Sequence, residues 1–373
     1  MKKIFLCILC LISLIFDARA METSHQDITY RDFPKVRNFW ENATVKDTQD
    51  FIKSNNIHTV YKNLGLTTLT VVSKITQNPL VVRELIKAGA DVNERNTINY
   101  STALIAAAST NGNPLIFKEL INAGADVNAK DDNNSTALIN VAYYNKNPEV
   151  MKELINAGAD LNAARKDKFT PLMAVATDSR KQEFMDLLIK SGADINAETP
   201  EGFTPLMIAA LFNNNPVAID KLIEAGADIN HKDIHENNIL MLAASLNSNP
   251  KIVEKIIKLG INVNAKNEDG DTAITSATHN YLYPNTAKAV IEQLVNAGTD
   301  INSKNKKGNT ALMETVYNID PDTTAIIMEH LIKSGIDVHA KNKKGETAFD
   351  IMRSAIKYNE KPIYQRLKDL TYK

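Results

Sequence analysis

The segment HKDIHE places His231 and His235 four residues apart, a spacing that would put two imidazoles on one face of a helix. The segment is polar and turn-prone, however, and no third ligand recurs nearby. It is expected to hold two solvent-exposed loop histidines and no metal. His58, His279, His330 and His339 are scattered, with no serine or carboxylate at the spacing of a hydrolytic triad. None of the 14 glycines sits in a phosphate-cradling loop, since those that can be placed end a helix or open a turn. The Asn-x-Ser/Thr matches at Asn42, Asn99, Asn133 and Asn134 are what chance gives in an asparagine-rich chain. Net charge is −1 with 23% charged residues, so no global field draws nucleic acid or an anionic membrane. The residue inventory therefore points to no catalytic site, no cofactor and no nucleic-acid partner.

Both cysteines, Cys7 and Cys10, fall within MKKIFLCILCLISLIFDARA at residues 1–20. Two lysines, an apolar run from Ile4 to Phe16 and a small-x-small ending at Ala18-Arg19-Ala20 have the layout of a secretory leader cleaved after Ala20. The apolar run is too short to span a bilayer as a stable helix. Translation from Met21 is the rival reading and would leave the protein cytoplasmic. With the leader removed, no thiol remains for a nucleophile or a disulfide, the net charge becomes −3, and no membrane span is expected.

With no chemistry at isolated residues, attention turns to what repeats. Glu119–Lys130 reads ELINAGADVNAK and Glu153–Ala164 reads ELINAGADLNAA. The glycine of this phrase recurs at Gly89, Gly124, Gly158, Gly192, Gly226, Gly260, Gly298 and Gly335, in steps of 34 to 38 residues. A period of that size marks stacked supersecondary units, whose core grows along one axis. Within a unit, Thr136-Ala137-Leu138, Thr170-Pro171-Leu172 and Thr204-Pro205-Leu206 open a first helix, because a threonine hydroxyl caps and proline has no N–H to waste. Asn113-Pro114, Asn147-Pro148, Asn215-Pro216 and Asn249-Pro250 open a second one, which ends at the repeated glycine. A polar stretch then returns to the next threonine.

GFTPLMIAA with IEAGADIN, and DGDTAITSA with VNAGTDIN, resemble ankyrin repeats. The resemblance covers about 340 residues and implies an all-α ankyrin-repeat solenoid of about ten helix–turn–helix units with projecting loops, acting as a protein-binding scaffold. One departure is systematic. The family's histidine after leucine is replaced by Ile105, Ile139, Met173, Met207, Met241, Thr275 and Met313, so packing is expected to replace part of a polar ladder between units. Met173, Met207 and Met241 read as buried packing. The expected organisation is a leader at 1–20, an N-terminal segment with a degenerate capping unit at 21–66, eight units over 67–346, and a C-terminal cap at 347–373. Units start near 33, 67, 102, 136, 170, 204, 238, 272, 310 and 347.

A residue required by every unit serves the stack, so a partner surface should lie in what varies. The slot just before the threonine reads Ser101, Ser135, Phe169, Phe203, Asn237, Asp271, Asn309 and Glu346. Phe169 and Phe203 are expected at exposed loop tips as an aromatic anchor pair, flanked by Lys166, Asp167, Glu201, His235, Asn237, Glu268, Asp269, Asp271, Lys306, Lys307, Lys343 and Lys344. The expected function is an exported, monomeric, non-enzymatic scaffold for a protein partner. A periplasmic adaptor organising an envelope complex is the alternative, and an enzyme with an unrecognised site a third. Composition rich in Asn, Lys and Ile is similar to ankyrin proteins of host-associated bacteria, which implies a host protein as partner.

Overall fold

Twenty helices and no strand make up the described part of the computed structural model, which covers residues 33–55, 61, 65–280, 282–318, 320–355 and 361–372. The expected leader at 1–20 lies outside the described residues. The helices come in ten consecutive pairs, an inner helix followed by an outer one. Local chemistry sets each start. Thr136 Oγ1 accepts from Ile139 N at 3.4 Å and opens the inner helix Ala137–Tyr144; Asn147 Oδ1 accepts from Glu149 N at 3.0 Å and opens the outer helix Pro148–Asn156. Gly158 follows with φ +85°, a conformation in which a Cβ is strained.

The chain forms two compact units, one reaching Pro200 and one running from Glu201, which also takes in Ala176–Ser179. In the N-terminal unit, inner helices Thr68–Ile75, Ala103–Thr110 and Ala137–Tyr144 pack in sequence, as do outer helices Pro79–Lys87, Pro114–Asn122, Pro148–Asn156 and Gln182–Lys190. Leu104, Leu138, Ile105 and Ile139 are fully or nearly fully buried, and Ala107, Ala108, Val141 and Ala142 let neighbouring inner helices approach. Its first pair, Phe33–Asn42 and Val45–Ser54, closes over Trp40, whose Nε1–H donates to Tyr61 Oη at 3.0 Å.

In the C-terminal unit, inner helices Pro205–Phe212, Ile239–Leu246, Ala273–Ala277, Ala311–Thr315 and Ala348–Arg353 alternate with outer helices Pro216–Glu224, Pro250–Lys258, Pro284–Asn296, Pro321–Lys333 and Pro362–Tyr372. The two longest repeat steps coincide with outer helices of 13 residues in place of nine. Met207 and Met241 are buried, as is Met173 in the N-terminal unit.

The residues in the family's histidine slot are buried, as packing in its place requires, and asparagines at the inner-helix C-caps carry polar contacts between repeats. Buried Asn111 donates from Nδ2 to Ser73 O and Thr76 O at 2.9 and 2.7 Å, and Asn145 to Asn111 O at 2.8 Å. In the C-terminal unit Asn247 donates to Ala210 O at 2.8 Å, Asn280 to Asn247 O at 3.1 Å, and Asn318 to Thr278 O at 2.8 Å. A second ladder explains the repeated phrase. Asn128 Nδ2 donates to Gly158 O at 3.1 Å, while its Oδ1 accepts from Asp160 N at 2.7 Å. Asn264 does the same with Gly298 and Asp300. Each unit thus satisfies backbone groups of its neighbour that would otherwise be orphaned.

Candidate interaction surface

Each unit ends in a loop whose tip is fixed by a left-handed residue two positions before the cap of the next inner helix. Tyr100, Asn134, Lys168 and Glu236 take φ near +60° there, and Gly65, Gly202, Gly270, Gly308 and Gly345 take φ between +68° and +80° in the other units. Neighbouring tips are joined through backbone. Lys166 N donates to Asn133 O at 3.1 Å in the N-terminal unit; Ile234 N to Glu201 O, Glu268 N to His235 O, Lys306 N to Asp269 O and Lys343 N to Lys307 O do so in the C-terminal one.

The left-handed residue turns the chain so that the following side chain points inward. Phe169 and Phe203 occupy that following slot, and both are buried, 0% and 1% exposed. Phe169 stacks on Tyr143 with centroids 5.7 Å apart, and its backbone closes its own loop through Arg165 N to Phe169 O. The exposed anchor pair is therefore overturned: these rings are core. Asn237 and Asp271, in the same slot, are also buried, at 1% and 3%. Asn237 Nδ2 donates to Asp233 Oδ2 at 2.8 Å, and Asp271 Oδ1 accepts from Asn305 Nδ2 at 2.9 Å. Burial raises the carboxyl pKa of both Asp233 and Asp271.

The remaining expected residues divide. Lys166, Lys306, Lys307, Lys343 and Lys344 are exposed. Asp167 is half-buried against Arg165 at 3.2 Å, and Glu201, Glu268 and Asp269 are half-buried in the loop ladder. His235 is not solvent-exposed as expected, since its Nδ1 lies 2.8 Å from Glu268 Oε1 with the side chain 14% exposed. His231 Nε2 lies 3.0 Å from Gly202 O. Among the described residues no three His, Cys, Asp or Glu groups gather in a metal-binding arrangement.

Sequence reading missed the side chains that do project. Tyr100 is 59% exposed, Ile98 on the same tip 41%, and Ile234 in the C-terminal unit 58%. The signal was present in the spacing Gly-x-Thr at Gly202, Gly270, Gly308 and Gly345, which marks the left-handed slot one residue earlier than the slot singled out. The error was one residue of register.

The chain belongs to the ankyrin-repeat family: the family model described as ankyrin repeats (3 copies) matches residues 69–165, 138–233, 206–304 and 240–342. Among solved structures it is similar to the crystal structure of the human ASB11 ankyrin repeat domain, with a TM-score of 0.53 and 24% identity over 62% of this chain and 98% of that one. That likeness is one of fold. No curated protein matches the chain. Ankyrin repeats are in general protein-interaction modules, and among the described residues no helix is long and apolar enough to cross a membrane.

Proposed function

We propose that the chain is an exported, monomeric, non-enzymatic scaffold that binds a partner protein, a host protein in the first instance, through its loop tips. The leader-like residues 1–20 motivate the export. One observation carries the binding reading, and it is Tyr100. An aromatic residue stands at φ +57° where five units use glycine, and it is 59% exposed. A left-handed non-glycine residue costs about 1–2 kcal/mol, and the side chain stays mostly exposed. Strain kept in this way is expected where the side chain serves another purpose. Ile98 beside it supplies a second apolar contact, and exposed aromatics dominate binding energy once a partner covers them. The exposed lysines of the last two loops act on encounter and orientation.

The test is site-specific photo-crosslinking. Benzoylphenylalanine at position 100 should capture a discrete protein from the native setting, whereas the same group at Leu115, exposed on the outer helix Pro114–Asn122, should not. Equal capture at both positions contradicts the loop-tip reading.

A further inference from the structure

Glu314 is the fourth residue after Thr310. In the other units from Thr67 onward the same place holds Val71, Ala106, Asn140, Ala174, Ile208, Leu242, Ser276 and Ile351, none of them ionisable. Glu314 is 0% exposed, in a slot that elsewhere takes an uncharged side chain. Its Oε1 accepts from Asn309 Nδ2 and from Asn305 Nδ2, both at 2.8 Å. The second hydrogen of the Asn305 amide goes to Asp271 Oδ1 at 2.9 Å, so one amide bridges two buried carboxyl groups from successive units.

Two buried oxygens of this cluster have no hydrogen-bond partner, Glu314 Oε2 and Asn309 Oδ1. They belong to groups already joined by Asn309 Nδ2 to Glu314 Oε1. Both are acceptors when the carboxyl is ionised, and both are satisfied by a single proton between them. We propose that Glu314 is held as a neutral carboxylic acid whose Oε2–H donates to Asn309 Oδ1, making a two-point acid–amide pair that clasps the loop Asn305–Thr310 onto the inner helix Ala311–Thr315 and opens when the acid ionises. This assignment does not depend on the identity of any partner.

Other charged groups on the surrounding elements do not overturn it. Burial is the largest influence and moves the Glu314 carboxyl above its ordinary value of 4.5; the amides of Asn309 and Asn305, and more weakly Lys307, favour the anion, and Asp271 opposes it. Tyr317 is held above its usual range, with burial as the main cause and the charges of Glu314 and Glu346 adding to it, against a smaller lowering from the Asn309 side chain. His279 beyond the preceding inner helix is kept neutral by burial. On the helices that pack against Ala311–Thr315, Asp350 is bonded to Thr347 and Tyr372 with Arg353 at 3.6 Å, Asp322 pairs with Lys361 at 2.6 Å, and Glu329 pairs with Arg366 at 2.7 Å. On the outer helix Pro321–Lys333, His330 and Lys333 are the other ionisable groups, and burial lowers the His330 pKa.

The sign follows from where the proton sits. The unfolded chain releases it near pH 4.5 and the folded chain only at higher pH, so stability is lost as pH rises through that window. Glu314→Gln replaces the acid with a group that donates to Asn309 Oδ1 at every pH. In urea unfolding of the full chain, the ratio of variant to parent folding constants should rise at least about tenfold between about pH 4.5 and about pH 8. A ratio independent of pH overturns the proposal. A second readout covers a variant that fails to fold. Infrared spectra of the parent with carboxyl-labelled glutamate should show a protonated glutamate band that persists as pH is raised above the ordinary glutamate value of 4.5, and its absence overturns the proposal as well.

Discussion

The side-chain amide of Asn145 donates to the backbone carbonyl of Asn111 across 2.8 Å, while its own Oδ1 accepts from Asn147 N at 2.9 Å. One residue thereby ends its inner helix, positions the cap of the outer helix, and holds the preceding unit. Asn247 repeats the arrangement in the C-terminal unit, donating to Asn213 O at 3.1 Å and accepting from Asn249 N at 2.8 Å.

Asn145→Ala should leave the Asn111 carbonyl buried without a donor and cost about 1–3 kcal/mol. Urea unfolding of the variant beside the parent measures it. An unchanged midpoint would show that packing alone holds these units.

Phe203→Ala should cost about 3–5 kcal/mol, as truncation of a buried aromatic does, and Phe169→Ala a similar amount. Thermal unfolding of each single variant is the check. A native-like melting temperature would return these rings to the surface.

The caps, the glycine ends and the helix pairs were legible because each rests on chemistry within a few residues of itself. Asn147-Pro148 declares an outer helix whatever surrounds it. Asn145 was not legible, since its role depends on a carbonyl 34 residues earlier. Nor was Lys181. Ser179 stands where the ladder would place its asparagine, and buried Lys181 reaches the Ala142 carbonyl from two residues further on. At the candidate surface, choosing the slot beside the threonine over the one before it exchanged a core phenylalanine for an exposed tyrosine. A period-two loop punishes a one-residue slip in that way.

His279 gives the opposite pH dependence to Glu314. Burial lowers its pKa from 6.5 to about 4, so between those values the unfolded chain holds a proton that the folded chain does not. Stability should therefore fall as pH drops from about 6.5 to about 4, by up to about 3 kcal/mol, and His279→Gln should remove that part of the loss. Parallel acid profiles for parent and variant would contradict the assignment. The two effects overlap in pH, which is why each is read from a variant-minus-parent difference.

The account rests most on Tyr100, and Tyr100→Gly separates its two roles. Glycine relieves the left-handed backbone, so the unfolding midpoint should stay level or rise, by up to about 1 kcal/mol. Loss of the exposed ring should weaken binding to the crosslinked partner by at least about 2 kcal/mol, a factor of about thirty in Kd by calorimetric titration. Undiminished affinity in a variant of equal or greater stability would contradict the claim that this loop tip is where the scaffold meets its partner.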